Sequence, residues 1–173
     1  MAYTIRALIA SDWPAIKEIY QLGIDTGDAT YETQAPETEV LKSKFLADPQ
    51  LVAENNGQVI GWAMLSAVSS RCVYGGVAET SIYVNPEHHG LGVGRALLSA
   101  LVLMSEKLGF WTLQAQIFPE NKPSIALHKQ QGFREVGYRE RLGKRNGIWR
   151  DVLFLERRSA VVGSSDSDQC LKS

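Results

Sequence analysis

At 173 residues, with 45% apolar side chains and six prolines, the chain is long enough for one well-buried core and too short for two comfortable ones. Its 18 basic and 19 acidic residues leave a formal charge of -1, which excludes a whole-molecule field drawing it to nucleic acid or an anionic membrane. Cys72 and Cys170 lie far apart, so neither a disulfide framework nor a thiolate metal site has support, and the chain fits the reducing cytoplasm. Met1 to Ala10 lacks a basic region followed by a long apolar core, and no run approaches eighteen apolar residues, so no export or membrane segment is expected.

Tyr3 to Ala7 reads as a first strand. Ser11, Asp12, Trp13 and Pro14 form a helix start with a capping oxygen and a first-turn proline, and the helix runs to about Ile24. Pro36 opens a second helix carrying Val40, Leu41, Phe45 and Leu46 at roughly helical spacing. Leu51 to Glu54 and Gln58 to Val68 are apolar runs joined by Asn55-Asn56-Gly57, a tight hairpin turn. Val77 to Val84 is the next strand, and period-two alternation puts Glu79, Ser81 and Tyr83 on one face, with Thr80, Ile82 and Val84 on the other. Leu97, Leu98, Leu101, Met104 and Leu108 form a helical stripe ending at Gly109. A strand over Thr112 to Phe118 follows, then a short helix from Ser124 to Gln131 stopped by Gly132. Val136 to Leu142 and Val152 to Glu156 flank an Asn146-Gly147 turn. This is a mixed α/β pattern in a single domain over residues 1–158. From Ser159 the composition turns to Ser, Asp and Gly, which predicts a disordered tail over residues 159–173.

The segment His88-His89-Gly90-Leu91-Gly92-Val93-Gly94-Arg95 follows a strand and precedes a helix, so backbone N–H groups and the helix N-terminus converge where an anion such as phosphate would sit. It fails the dinucleotide fingerprint: Leu97 stands where a third Gly or Ala belongs, Gln114 where an acidic ribose ligand would be, and an antiparallel pair precedes the loop. The nucleotide P-loop fails too, because no Gly-Lys-Ser or Gly-Lys-Thr occurs. Taken alone, the glycines are equally compatible with a plain tight turn.

The stretch Tyr83-Val84-Asn85-Pro86-Glu87-His88-His89-Gly90-Leu91-Gly92-Val93-Gly94-Arg95-Ala96-Leu97-Leu98 resembles the acetyl-coenzyme A signature of the GNAT superfamily. Asn121-x-x-Ser124, Leu127-His128 and Gly132-Phe133 resemble its second cofactor segment. Ala29-Thr30-Tyr31-Glu32-Thr33, Arg71-x-x-Tyr74, Glu79-x-Ser81-Ile82-Tyr83-Val84 and Gly143-x-Arg145-x-Gly147-x-Trp149-x-Asp151 are similar to the phosphinothricin and methionine sulfoximine acetyltransferase branch, over about Ile5 to Phe154. The chain departs from that branch at His89, where Arg or Gln is usual, at Lys144, which replaces an aromatic, and at Arg145, which replaces a lysine. The resemblance implies the GNAT acyl-CoA N-acyltransferase fold, a mixed, mostly antiparallel twisted sheet whose fourth and fifth strands splay apart, flanked by helices. It implies acetyl-CoA as co-substrate, no metal, and contacts to it from Ile82, Tyr83, Val84, His89, Gly90, Leu91, Gly92, Val93, Gly94, Arg95, Asn121 and Ser124. It also implies a homodimer.

Attack of an amine on a thioester needs a base, because a free α-amino group, of pKa near 8, is mostly protonated at pH 7. The resemblance assigns that role to Glu79, acting directly or through water; an arbitrary strand glutamate would otherwise be solvated or paired. His128 stands where the branch has a histidine that serves the departing thiolate or orients the glutamate; the alternative is a helix histidine bonded to a backbone carbonyl. Backbone N–H groups of the fourth strand would meet the oxyanion. Asn121 and Ser124 hold the cofactor or form an ordinary helix start. For an amino-acid acceptor, Arg71 with Tyr74, beside Tyr31, Glu32 and Tyr83, could supply a cation and an aromatic wall; a surface arginine is the bland alternative. Cys72 has no neighbour in sequence to activate it.

The expected activity is therefore acetyl-CoA-dependent N-acetylation of a small amino acid or analogue, of the phosphinothricin, methionine sulfoximine or methionine sulfone kind. The alternatives are a non-catalytic acetyl-CoA sensor, against which Glu79 and His128 argue, and acetylation of a protein N-terminus.

Overall fold

A computed structural model describes residues 2–164. Seven strands, β1 (Thr4–Ala7), β2 (Gln50–Asn55), β3 (Gln58–Ala67), β4 (Val77–Val84), β5 (Thr112–Ile117), β6 (Arg134–Arg145) and β7 (Ile148–Arg158), form one open sheet in the order β1-β2-β3-β4-β5-β7-β6. The helices are α1 (Trp13–Asp25), α2 (Thr38–Ser43), α3 (Val93–Lys107) and α4 (Lys122–Gln130). Two turns fix the hairpins as the sequence predicts: Asn56 and Gly57 adopt φ of 49° and 80°, Asn146 and Gly147 51° and 80°.

The period of two along β2 and β3 divides the core. Leu51, Ala53, Ala63 and Leu65 meet α3 on one face, where Leu97, Leu98 and Leu101 are fully buried. Val52, Trp62 and Met64 meet α1 on the other, through Trp13, Ile16, Ile19, Tyr20 and Ile24. Each such side chain withdrawn from water stabilises the fold by roughly 1.5–3 kcal/mol.

Among the described residues the only parallel pairing is between β4 and β5, and it lasts three residues: Val77 with Thr112, Ala78 with Leu113, Glu79 with Gln114. Beyond Glu79 the strands part. β4 stays registered to β3 as far as Gly61 with Val84, while β5 follows β7 to Ile117 with Leu153. This is the splay that the family resemblance implies.

Four local expectations are corrected. Ser11 and Asp12 give α1 no side-chain cap; Asp12 instead accepts from the Ile9 N–H (2.8 Å) and pairs with Arg6 (2.7 Å), entering α1 through a short 3-10 turn. Helix α2 starts at Thr38 rather than Pro36, and of its expected stripe Leu41 is buried while Val40 is exposed. Leu108 lies past the end of α3 and is exposed; Ser105 takes the inward position, its hydroxyl donating to the Val102 carbonyl (2.8 Å). The compositional boundary at Ser159 falls inside packed structure: its N–H donates to Trp111 O (2.8 Å) and its hydroxyl to Glu106 (2.8 Å). Val161 and Val162 donate their N–H groups to the Ser159 hydroxyl oxygen (both 3.1 Å), and residues 165–173 of the expected tail lie outside the described residues.

Candidate active site

The opening between β4 and β5 continues into a cavity of about 320 Å³. Among the site residues expected from sequence, Glu79, His128, Tyr31, Tyr83, Ile82, Asn121 and Ser124 all line it. A second cavity, a trough of about 710 Å³, is lined by Ile82, Val84, His89, Gly90, Gly92, Val93, Gly94, Arg95, Asn121 and Ser124. Ala29, Ile82, Asn121 and Ser124 border both, so trough and cavity adjoin. Leu91 lines neither and is exposed.

The trough is built for an anion at one end. Gly90 and Gly92 hold φ of 77° and 79°, a left-handed conformation that costs other residues roughly 1–2 kcal/mol, and Gly92 is the N-cap of α3. The first turn of α3, whose N–H groups have no intrahelical acceptor, therefore opens onto the trough beside the Arg95 cation. His88 Nδ1 is buried on the same wall without a hydrogen-bond partner. His89 turns back instead, donating from Nε2 to the Val84 carbonyl (3.1 Å), and so ties the loop to the end of β4. These features fit the pyrophosphate of coenzyme A, and the splayed edge of β4 fits its extended arm.

The two faces of β4 give the cavity two sides. Glu79, Ser81 and Tyr83 share the α1 face, where Tyr83 stacks on Trp62 (4.7 Å between ring centres) and meets Tyr20 edge-on (4.8 Å). That burial pushes the Tyr83 phenol well above its ordinary pKa. The Glu79 carboxylate accepts from Gln116 Nε2 (2.7 Å), a residue of β5 beyond the last paired position.

Thr80 lies on the opposite face, against α4. His128 is 4% exposed, and its Nδ1 is 2.8 Å from the Ser124 carbonyl, which can only accept; the Nδ1 proton is thereby assigned. Its Nε2 stands 3.2 Å from the Thr80 hydroxyl, which is also 3.2 Å from the Gln114 carbonyl. Burial lowers the His128 pKa, the Ser124 bond opposing it, so the neutral ring prevails and one Thr80 proton serves two acceptors. The carbonyl-bonded helix histidine considered from sequence thus describes one ring nitrogen; the other is directed at Thr80.

Asn121 works as a helix cap, accepting from the Ser124 N–H (3.2 Å), and donates to the Asp28 carbonyl (3.3 Å). Tyr31 donates to the Arg150 carbonyl (3.1 Å) and sits edge-on to Phe118. Glu32 pairs with Lys44, which lines the cavity while Glu32 does not. Arg71 and Tyr74 stand apart from both cavities, the guanidinium 5.5 Å over the tyrosine ring; Tyr74 borders a third space, of about 720 Å³, that reaches Glu79 from outside.

Sequence reasoning missed Lys44, Gln116 and Arg150. Thr112, Gln114 and Gln116 alternate with the apolar Leu113, Ala115 and Ile117, a pattern that marks a polar face. Arg150 donates to Gly27 O (3.1 Å), Asp28 (2.9 Å) and Glu120 (3.1 Å) and lies 4.1 Å over the Phe118 ring, holding the loop that borders both cavities.

Comparison with known proteins agrees with this fold. The chain is 32% identical over 162 residues to a phosphinothricin N-acetyltransferase of Alcaligenes faecalis, covering 90% of this chain and 82% of the relative. It is 32% identical to an L-methionine sulfoximine/L-methionine sulfone acetyltransferase of Salmonella typhimurium, covering 88% and 92%. The crystal structure of a GNAT superfamily phosphinothricin acetyltransferase from Sinorhizobium meliloti, in complex with AcCoA, superposes with a TM-score of 0.87 at 34% identity, covering 100% of both chains. Residues 13–133 match the Acetyltransferase (GNAT) family, and the chain belongs to that family.

Proposed function

We propose that the chain transfers the acetyl group of acetyl-CoA directly to the amino group of a small amino acid or analogue of the phosphinothricin, methionine sulfoximine or methionine sulfone type. The observation that carries this reading is the division of β4: Glu79 reaches the opening from the α1 face, and the Thr80–His128 pair reaches it from the α4 face.

Acetyl-CoA supplies the activated thioester. The trough favours the cofactor on the α4 side, with Ile82, Tyr83 and Val84 along its arm, His89 to Arg95 around the pyrophosphate, and Asn121 and Ser124 at the bend. The acceptor then occupies the α1 side, among Tyr31, Tyr83 and Glu79; Glu32 acts from behind Lys44, and Tyr74, with Arg71 over its ring, borders the outer space that reaches Glu79. Glu79, oriented by Gln116, takes the ammonium proton so that the amine lone pair is available. Backbone N–H groups on the β4 edge that β5 has left receive the carbonyl oxygen as its charge grows. The adduct formed by attack collapses with loss of the second amine proton, which the departing thiolate takes up by way of water, while His128, neutral at pH 7, accepts from the Thr80 hydroxyl and fixes that residue beside the opening.

We infer that the protein is a homodimer, supported by the exposed apolar residues of the terminal hairpin, Tyr138, Leu142, Ile148 and Trp149. Light scattering at micromolar concentration should give twice the chain mass; a single-chain mass contradicts it.

The activity is tested by following thiol release from acetyl-CoA with a panel of free amino acids and a panel of peptides. Turnover on a free amino acid supports the reading. Tight cofactor binding with no turnover on any amine favours a sensor, and turnover on peptides alone favours an N-terminal acetyltransferase.

A further inference from the structure

Among the described residues lining the 320 Å³ cavity, two carry a full charge, and they are of opposite sign: Glu79 and Lys44. A free α-amino acid carries the complementary pair, an ammonium and a carboxylate. If Glu79 serves the ammonium, the carboxylate needs a cation at the same cavity, and the arginine favoured from sequence, Arg71, does not line it.

Lys44 follows the last turn of α2, and its placement is fixed by the main chain. Two residues on, the Leu46 N–H donates to the Leu65 carbonyl (2.8 Å), anchoring the segment to β3 one residue from Ser66, the register partner of Glu79. Lys44 is therefore delivered to the same end of the sheet as the base. Its ammonium has three donors, one of them engaged by Glu32. The Lys44 and Glu32 side chains are 37% and 42% exposed, and an ion pair in that environment adds little stability. The pair instead aims a lysine with unused donors at the cavity, where Phe45, Tyr20 and Tyr83 supply apolar walls.

We propose that Lys44, steadied by Glu32, receives the carboxylate of the acceptor and so sets a preference for free amino acids over their amides and over peptides. This rests on the N-acetyltransferase reading given above and adds a specificity residue to it.

The test compares methionine sulfone with its carboxamide, using thiol release from acetyl-CoA as the readout for wild type, Lys44→Gln and Arg71→Gln. Wild type is expected to favour the free acid. Lys44→Gln should lower kcat/KM for the acid by about tenfold or more, through KM, while leaving the carboxamide and the KM for acetyl-CoA within about twofold. The carboxamide rate reports folding in the same sample. An unchanged acid-to-amide ratio in Lys44→Gln, an equal loss on both probes, or a ratio erased by Arg71→Gln and kept by Lys44→Gln overturns this proposal alone. A wild type that acetylates neither probe nor any other free amino acid overturns the functional reading and this proposal with it.

Discussion

The Glu79 carboxylate, at the last paired position of β4 and β5, meets the Gln116 amide, two residues beyond its partner Gln114, at 2.7 Å. A hydrogen bond thus replaces the missing ladder and points a carboxylate into the opening. Replacing Gln116 with Leu removes that orientation without removing the base. The expected result is a fall in kcat of roughly tenfold, less than the loss on deleting a general base, with the KM for acetyl-CoA unchanged. Steady-state kinetics of the purified variant check it; an unaltered kcat would mean that the amide does not orient Glu79.

His128 gives a prediction in pH. Burial holds its folded pKa below the unfolded value of about 6.5, so the unfolded chain binds more protons in that window. Stability contributed by the neutral ring is present above about pH 6.5 and is lost as pH falls toward the folded value. In His128→Gln the decline of the melting temperature between about pH 7 and pH 5 should be shallower than in wild type. Parallel melting curves across that range would contradict the assignment.

Arg150 joins the hairpin of β6 and β7 to the loop that borders both cavities. Its carboxylate partners Asp28 and Glu120 are 48% and 59% exposed, which limits the stability at stake in Arg150→Met to about 1 kcal/mol. Positioning suffers more: KM for acetyl-CoA and for the acceptor should both rise, by roughly threefold to tenfold. Urea unfolding and two-substrate kinetics separate the effects; a stability loss with both KM values unchanged would reduce Arg150 to a structural residue.

Gly23 lies in α1 beneath the Tyr83 ring. A Cβ there would stand 2.5 Å from Tyr83 Cδ1, and the ring is held between Trp62 and Tyr20. Helix propensity alone favours Ala over Gly by about 1 kcal/mol, whereas overpacking costs about 1–3 kcal/mol. Gly23→Ala is therefore expected to be net destabilising, with a raised KM for the acceptor; a gain in melting temperature would show that Tyr83 moves freely.

The parts of this site that were legible in the sequence are those set by local chemistry. The Asn56-Gly57 and Asn146-Gly147 turns need positive φ and announce themselves, as do Gly90 and Gly92 before α3. The period-two alternation of a strand by itself puts Glu79 and Thr80 on opposite faces of β4. What stayed hidden depends on contacts between distant segments. Lys44 reaches the cavity because Leu46 is tied to β3, and Gln116 reaches Glu79 because β5 diverges after Gln114. Strand β6 is longer than its sequence pattern shows, because nearly all of it is exposed and register shifts between Arg139 and Gly143 break its alternation. Ser159 looked like tail on composition, yet Trp111 and Glu106 hold it.

The most direct test of the account is Glu79→Gln, assayed with acetyl-CoA and a free amino acid that the wild type accepts, alongside calorimetric titration of acetyl-CoA. A base acts in the transition state and not in cofactor binding, so kcat should fall by about a hundredfold or more while the acetyl-CoA dissociation constant stays within about twofold. Equal losses in turnover and cofactor affinity, or a variant as fast as wild type, would contradict Glu79 as the base and with it the division of labour across β4.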